Sequence, residues 1–141
     1  MIRILVLLAV IAVFLVLLQV RRGKQASSIE KAVAPIGSLE ADQQTLRALR
    51  DAGADLTKPT HVNFYLYFSD RVKADSAAAE ATTPELPASV KRAADDSSWL
   101  CLVSGRMVPT ESSIRQVSTR LQAVAASHGG DYDGWEAAVT K

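Results

Sequence analysis

The sequence predicts a small α/β domain, in which strands and helices follow the order βαββαβ after an extra N-terminal helix, preceded by one transmembrane helix. Three observations lead to this fold class. An unbroken apolar run lies near the N-terminus, one later segment alternates between apolar and polar residues, and another repeats apolar residues at helical spacing. The chain has 141 residues, which leaves one domain of ordinary size after the apolar run.

The transmembrane prediction rests on the apolar run from Ile4 to Leu18, which Val20 closes after a single glutamine. As a helix, these residues would span roughly 25 Å, slightly less than a hydrocarbon core of about 30 Å. Arg21 and Arg22 follow directly and can extend toward the lipid headgroups. A cleaved signal peptide is the alternative, but its cleavage site would carry small neutral residues here. We therefore predict an uncleaved membrane anchor over residues 1–24.

The basic residues after the apolar run also predict the orientation of the chain. Arg21, Arg22 and Lys24 outnumber the single basic residue before the run, Arg3. Basic flanks stay on the cytoplasmic side, so we expect a single-pass protein of the bacterial inner membrane with its C-terminal domain in the cytoplasm. Residues 25–37 are small, polar and interrupted by Pro35, which predicts a linker to a domain over residues 38–141.

The first half of the domain is predicted to contain helix, strand and helix. Ser38 can cap a helix that runs to about Ala52, with an inward face made of Leu39, Leu46 and Leu49. His61–Phe68 alternates polar and apolar residues with a period of two, which is typical of a half-buried strand. Ser69-Asp70 can cap a short alanine-rich helix that ends near Ala81.

The second half is predicted to contain strand, strand, helix and strand. A short strand over residues 88–94 precedes a strand over Trp99–Val108, whose start is apolar on both faces and therefore central, with Gly105 marking a bulge. Thr110 can cap a helix whose apolar stripe is Ile114, Val117, Leu121 and Val124. Trp135–Val139 is the predicted last strand. This order is that of a ferredoxin-like βαββαβ sandwich.

Composition argues against several functional classes. Residues 38–141 carry 11 Lys or Arg and 14 Asp or Glu, whereas residues 1–37 carry five Lys or Arg and one acid. A domain with net negative charge is unlike the basic domains that bind nucleic acids by neutralising phosphates. The sequence contains no common catalytic or metal-binding signature, and its single cysteine, Cys101, sits among leucines. We therefore predict a protein that is not an enzyme and needs no cofactor or metal.

The most unusual stretch is Asp131–Glu136, which reads DYDGWE. One interpretation is a turn in which Asp and Gly supply the backbone angles while Tyr132 and Trp135 close the end of the sheet. The other is a binding surface in which carboxylates surround an aromatic anchor. The two interpretations are compatible.

Two segments carry a resemblance to a known family. Met107-Val108-Pro109-Thr110 starts a helix, and Gly129-Gly130-Asp131-Tyr132-Asp133-Gly134-Trp135-Glu136 follows that helix. Together they resemble the RraB-type regulators of ribonuclease E activity. The resemblance extends over about residues 38–141. It implies a ferredoxin-like sandwich without catalytic activity, which binds the endoribonuclease and lowers its cleavage of RNA.

From the residues and this resemblance we expect a ribonuclease E-type partner at the membrane surface. The predicted partner-binding residues are Asp131, Asp133 and Glu136 as charged contacts, Tyr132 as an exposed aromatic, and Trp135 as a buried anchor. Two alternatives remain. One is an RNA-binding sheet that stacks bases on Tyr65 and Tyr67, and the other is an inner-membrane scaffold with an unrelated partner.

Overall fold

The computed structural model describes the backbone of residues 36–141 and the side chains from residue 39 onward. The predicted membrane anchor, residues 1–24, and nearly all of the predicted linker lie outside the described residues. Within residues 36–141, no helix has the length and apolarity that crossing a membrane requires.

Three helices and four strands follow one another in the described chain. They are α1 (Ile36–Asp51), β1 (Thr60–Phe68), α2 (Arg71–Ala81), β2 (Ala88–Arg92), β3 (Trp99–Met107), α3 (Glu111–Ser127) and β4 (Asp131–Ala137). After α1, this order is βαββαβ, as predicted. The α/β class is therefore confirmed for the described residues.

The four strands form one sheet in the order β2-β3-β1-β4, and every neighbouring pair is antiparallel. β3 therefore lies inside the sheet, as its apolar start predicted, and β2 and β4 are the two edges. Because β3 separates β2 from β1, the helix α2 connects two strands that are not neighbours. This is the split βαβ arrangement of ferredoxin-like sandwiches.

The core lies between the helices and one face of the sheet. On β1 it takes every second residue, namely Val62, Phe64, Leu66 and Phe68, all of which are buried. The helices contribute buried residues to the same cluster, including Leu46, Ala74, Ala77, Ile114 and Leu121. The alternate β1 side chains, from His61 to Tyr67, point to the opposite face, where no described helix packs. We call this opposite face the open face.

Two predicted helix starts agree with the structure. The carboxylate of Asp70 accepts a hydrogen bond from the backbone N–H of Lys73 and so caps α2. The hydroxyl of Thr110 accepts a hydrogen bond from the backbone N–H of Ser113 and so caps α3. In both helices, the side chain satisfies an N–H group that has no partner within the helix.

Three sequence predictions about α1 and Gly105 are wrong. Helix α1 begins at Ile36, inside the predicted linker, and Leu39 is 37% exposed because its turn lies before the residues that reach the core. Asp42, three residues later, is buried instead of Leu39. Gly105 marks no bulge, since the pairing of β3 with β1 is regular through Val62 and Gly105. Instead, a side chain at this position would collide with the carbonyl oxygen of Glu85 in the loop before β2.

Candidate partner-binding surface

The stretch Asp131–Glu136 is a strand rather than a turn. Strand β4 begins at Asp131, four residues before the predicted start, and pairs with β1 along its whole length. Two residues, Asp133 and Gly134, lie opposite the single residue Tyr65, which makes a β-bulge. Gly134 has a φ of 101°, a conformation that few side chains tolerate, so the glycine of this motif permits the bulge.

The bulge determines which way each predicted site residue points. Trp135 pairs with Phe64 and Tyr132 pairs with Leu66, so both aromatic residues face the helices. Glu136 pairs with Asn63 and Asp131 pairs with Tyr67, so both carboxylates lie on the open face. Asp133 is exposed within the bulge. The predicted site is therefore divided between two faces of the edge strand.

Trp135 is a structural anchor, as the first interpretation predicted. Its side chain is 8% exposed, and its ring packs against that of Phe64 with a centroid distance of 6.4 Å. The indole Nε1 donates a hydrogen bond of 2.9 Å to the carboxylate of Asp42 on α1. Trp135 therefore joins the edge strand to the first helix through both its ring and its N–H group.

Sequence reasoning missed Asp42, which is only 6% exposed. Its Oδ1 also accepts a hydrogen bond from the hydroxyl of Ser118 on α3, at 3.4 Å. Burial raises the pKa of Asp42, and the hydrogen bonds from Trp135 and Ser118 oppose this rise. The burial of Asp42 could have been inferred from its helical spacing to Leu46 and Leu49. This spacing places its carboxylate within the apolar stripe of α1.

Tyr132 is not the exposed aromatic that the sequence suggested. Its ring is half-buried against the core, and its hydroxyl lies 3.0 Å from the hydroxyl of Ser118. Burial raises the pKa of this phenol. Asp42, Ser118, Tyr132 and Trp135 thus form one buried polar network that joins α1, α3 and β4.

Packing explains why the residue directly before β4, Gly130, is a glycine. A side chain at Gly130 would collide with the ring of Phe68 and with the carbonyl oxygen of Tyr67. The segment between α3 and β4 therefore passes directly over the end of β1. Much of the motif GGDYDGW thus serves to dock β4 onto the domain.

The carboxylate of Glu136 is held in place on the open face. It accepts hydrogen bonds from the hydroxyl of Tyr65 and from the amide of Asn63, the latter at 3.2 Å. Burial and this carboxylate both raise the pKa of Tyr65. Tyr65 and Tyr67 are both half-buried, so neither ring is fully exposed for stacking on a base.

A shallow groove of about 420 Å³ lies beside β4 on the helical side. Its walls include the small residues Ala41, Ala125 and Ala126, and its lining also includes Asp42 and residues 130–134. The groove and the exposed carboxylates of Asp131, Asp133 and Glu136 together form what we call the β4 surface.

The described residues show no arrangement for metal or nucleophilic chemistry. Among residues 36–141, no group of His, Cys, Asp and Glu could hold a metal ion. Cys101 is buried in the core, and desolvation raises the pKa of its thiol to about 11, so it stays protonated at neutral pH. His128 ends α3, where its Nε2 lies 2.7 Å from a carboxylate oxygen of Glu80.

These features are those of a small α/β domain with an acidic edge strand. A family model described as "RraB: Regulator of ribonuclease activity B" matches residues 39–137, which is most of the chain and nearly all of the described domain. The chain therefore belongs to this family. The description names a regulator of ribonuclease activity, which supports a regulatory rather than a catalytic role. No curated protein matches the sequence.

Proposed function

We propose that this protein is a membrane-anchored regulator that binds a ribonuclease E-type endoribonuclease and inhibits or modulates its cleavage of RNA. The observation that carries the proposal is the family match over residues 39–137, which spans all four strands and the β4 surface. The family supplies the regulatory role. The enzyme class of the partner and the membrane anchor are our own proposals.

We assign partner binding to the β4 surface because its charges suit a basic protein segment. Asp131, Asp133 and Glu136 are exposed along seven residues of an edge strand. Arginine-rich segments, such as those with which a nuclease holds RNA, carry the complementary charge. Contacts of this kind chiefly set the association rate and its salt dependence. Trp135 and Tyr132 would contribute by holding the strand in place.

The anchor proposal concerns residues 1–24 and would place the domain on the cytoplasmic face of the inner membrane. A tether of this kind raises the effective concentration of the domain near a membrane-associated partner, so a weak interface suffices. A reporter fused after Lys141 tests the orientation. A reporter that works only in the cytoplasm should be active, and activity of one that works only in the periplasm would contradict the proposal.

The RNA-binding alternative is less well supported. Base stacking needs exposed aromatic rings beside basic residues. Tyr65 and Tyr67 are half-buried instead, and the hydroxyl of Tyr65 donates to a carboxylate that would repel phosphate. We therefore do not assign RNA binding to the open face.

The test of the proposal is capture of the endoribonuclease by the full-length protein in native membranes. Asp133→Lys with Glu136→Lys reverses two charges of the β4 surface and should reduce capture, most strongly at low salt. The control is Asp75→Lys with Glu85→Lys, which makes the same change in net charge at exposed sites on α2 and the following loop. Equal capture by both variants would contradict the assignment of the β4 surface. Failure of the unaltered protein to capture the nuclease would favour an unrelated partner.

A further inference from the structure

Four apolar side chains lie at the centre of the open face, where no described helix packs. In the pairing of β1 with β3, Tyr65 lies opposite Leu102 and Tyr67 lies opposite Leu100. These four side chains form two adjacent rows in the middle of the sheet. They share a face with His61 and Asn63, away from the helices. The centre of this face therefore consists of two aromatic and two aliphatic side chains, of which Leu100 is 6% exposed and the other three are half-buried.

Opposite charges lie at the two ends of one of these rows. On edge strand β2, Lys91 pairs with Leu100, and on edge strand β4, Asp131 pairs with Tyr67. The row therefore reads Lys91, Leu100, Tyr67, Asp131 from one edge of the sheet to the other. Both end residues are exposed, and within the described residues neither takes part in an ion pair.

We propose that the open face binds a second copy of this chain, with the two sheets packed face to face. The proposal goes beyond the regulatory function and rests on the order of charges in this row. A two-fold axis parallel to the strands, between β1 and β3, places Asp131 of each copy against Lys91 of the other. It also brings the apolar centres of the two copies together. A two-fold axis across the strands would instead oppose like charges, which is unfavourable.

The size of the face indicates a weak, concentration-dependent pair. Four strands spaced about 4.8 Å apart and seven residues of about 3.3 Å each give a face of roughly 440 Å² per copy. Stable interfaces bury about 800 Å² per partner. The groove on the helical side of β4 and the bulge at Asp133 remain accessible in this arrangement. Asp131 and Glu136 lie on the paired face, so pairing and nuclease binding at these two residues exclude one another.

Disulfide cross-linking of the full-length chain in its membrane tests the geometry. The variant with both Lys91→Cys and Asp131→Cys should form a covalent dimer on oxidation. Each single variant should form little, because the axis places position 91 against position 131 and not against itself. A disulfide within one chain is excluded, because three strand spacings amount to about 14 Å, whereas bridged Cα atoms lie within about 7 Å. The native Cys101 is buried on the core face.

Charge reversal tests the ion pairs independently. A carbodiimide, which joins a carboxylate to an amine in contact with it, should link two copies of the unaltered chain. Lys91→Glu should lower this product to background, and Lys91→Glu combined with Asp131→Lys should restore it.

Absence of the covalent dimer in the double-cysteine variant would overturn the proposal. Equal yields from the single-cysteine variants would do the same, and so would a failure of the charge swap to restore the product. Because Asp131 and Glu136 also belong to the β4 surface, these experiments are scored by cross-linking alone and do not measure nuclease capture.

Discussion

Among single residues, Trp135 stabilises the domain in two ways. Its ring fills space against Phe64, and its N–H group satisfies a carboxylate that has been removed from water. A buried carboxylate without hydrogen bonds would strongly destabilise the folded state. The aromatic residue of the predicted binding motif is therefore required mainly by the fold.

Replacing Trp135 by alanine should lower the free energy of unfolding by about 3–5 kcal/mol, because truncating a buried aromatic leaves a cavity. Urea unfolding of a fragment of residues 36–141 measures this change. Trp135→Phe is the control, since it keeps most of the side-chain volume but loses the hydrogen bond to Asp42. Its loss should be smaller, at about 1–3 kcal/mol. Unchanged stability of Trp135→Ala would show that the residue is not the anchor described above.

Asp42 should make stability depend on pH in an unusual direction. Burial raises its pKa above the usual value of 3.8, so the folded state binds the proton more tightly than the unfolded state does. The stabilisation from this proton is complete below pH 3.8 and is lost as pH rises through the raised pKa of the folded state. Asp42→Asn cannot ionise. The stability of the unaltered domain relative to this variant should therefore fall from acidic to neutral pH.

Unfolding of both proteins across this pH range is the measurement, with Asp75→Asn as an exposed control. The stability of the unaltered domain relative to Asp75→Asn should not fall in the same way between acidic and neutral pH. A difference between the unaltered domain and Asp42→Asn that rises with pH would mean that hydrogen bonding, rather than burial, dominates the pKa of Asp42.

At the scale of elements, the sequence predicted best where one local pattern determines the structure. The alternation in His61–Phe68 gave β1 and its buried face almost to the residue, and the capping residues Asp70 and Thr110 gave the starts of α2 and α3. β4 was placed too late because a bulge breaks its alternation at Gly134. The network around Asp42 could not be predicted because it joins three elements that are distant in sequence. The division of Asp131–Glu136 between two faces follows from the same bulge.

Gly105 positions the loop before β2 against the sheet. Gly105→Ala should destabilise the domain by about 1–3 kcal/mol, because its methyl group would collide with the backbone of Glu85 and the loop or β3 must shift. Gly129→Asn is a suitable control, since nothing lies within 4 Å of a side chain there and asparagine tolerates the positive φ. Thermal unfolding compares the two variants. A loss at Gly105 no larger than that at Gly129 would contradict the close approach.

At the scale of the whole molecule, all three described helices and the sheet contribute to one buried apolar cluster. Among the described residues, this cluster extends from Leu46 to Trp135. We therefore expect a fragment of residues 36–141 to fold without the N-terminal segment. Cooperative unfolding and dispersed amide signals in a nuclear magnetic resonance spectrum would verify this. A fragment that is compact but lacks fixed side-chain packing would show that residues 1–35 are needed for the fold.

The central claim is that this protein regulates an endoribonuclease of the ribonuclease E type. The most direct measurement is the rate at which the purified nuclease cleaves a defined RNA as the full-length protein, reconstituted in a lipid bilayer, is added. We predict a saturable decrease in rate. The double variant Asp133→Lys with Glu136→Lys should weaken this decrease, whereas the control double variant Asp75→Lys with Glu85→Lys should not. An unchanged rate at saturating protein and low salt, together with no binding to the nuclease, would contradict the claim.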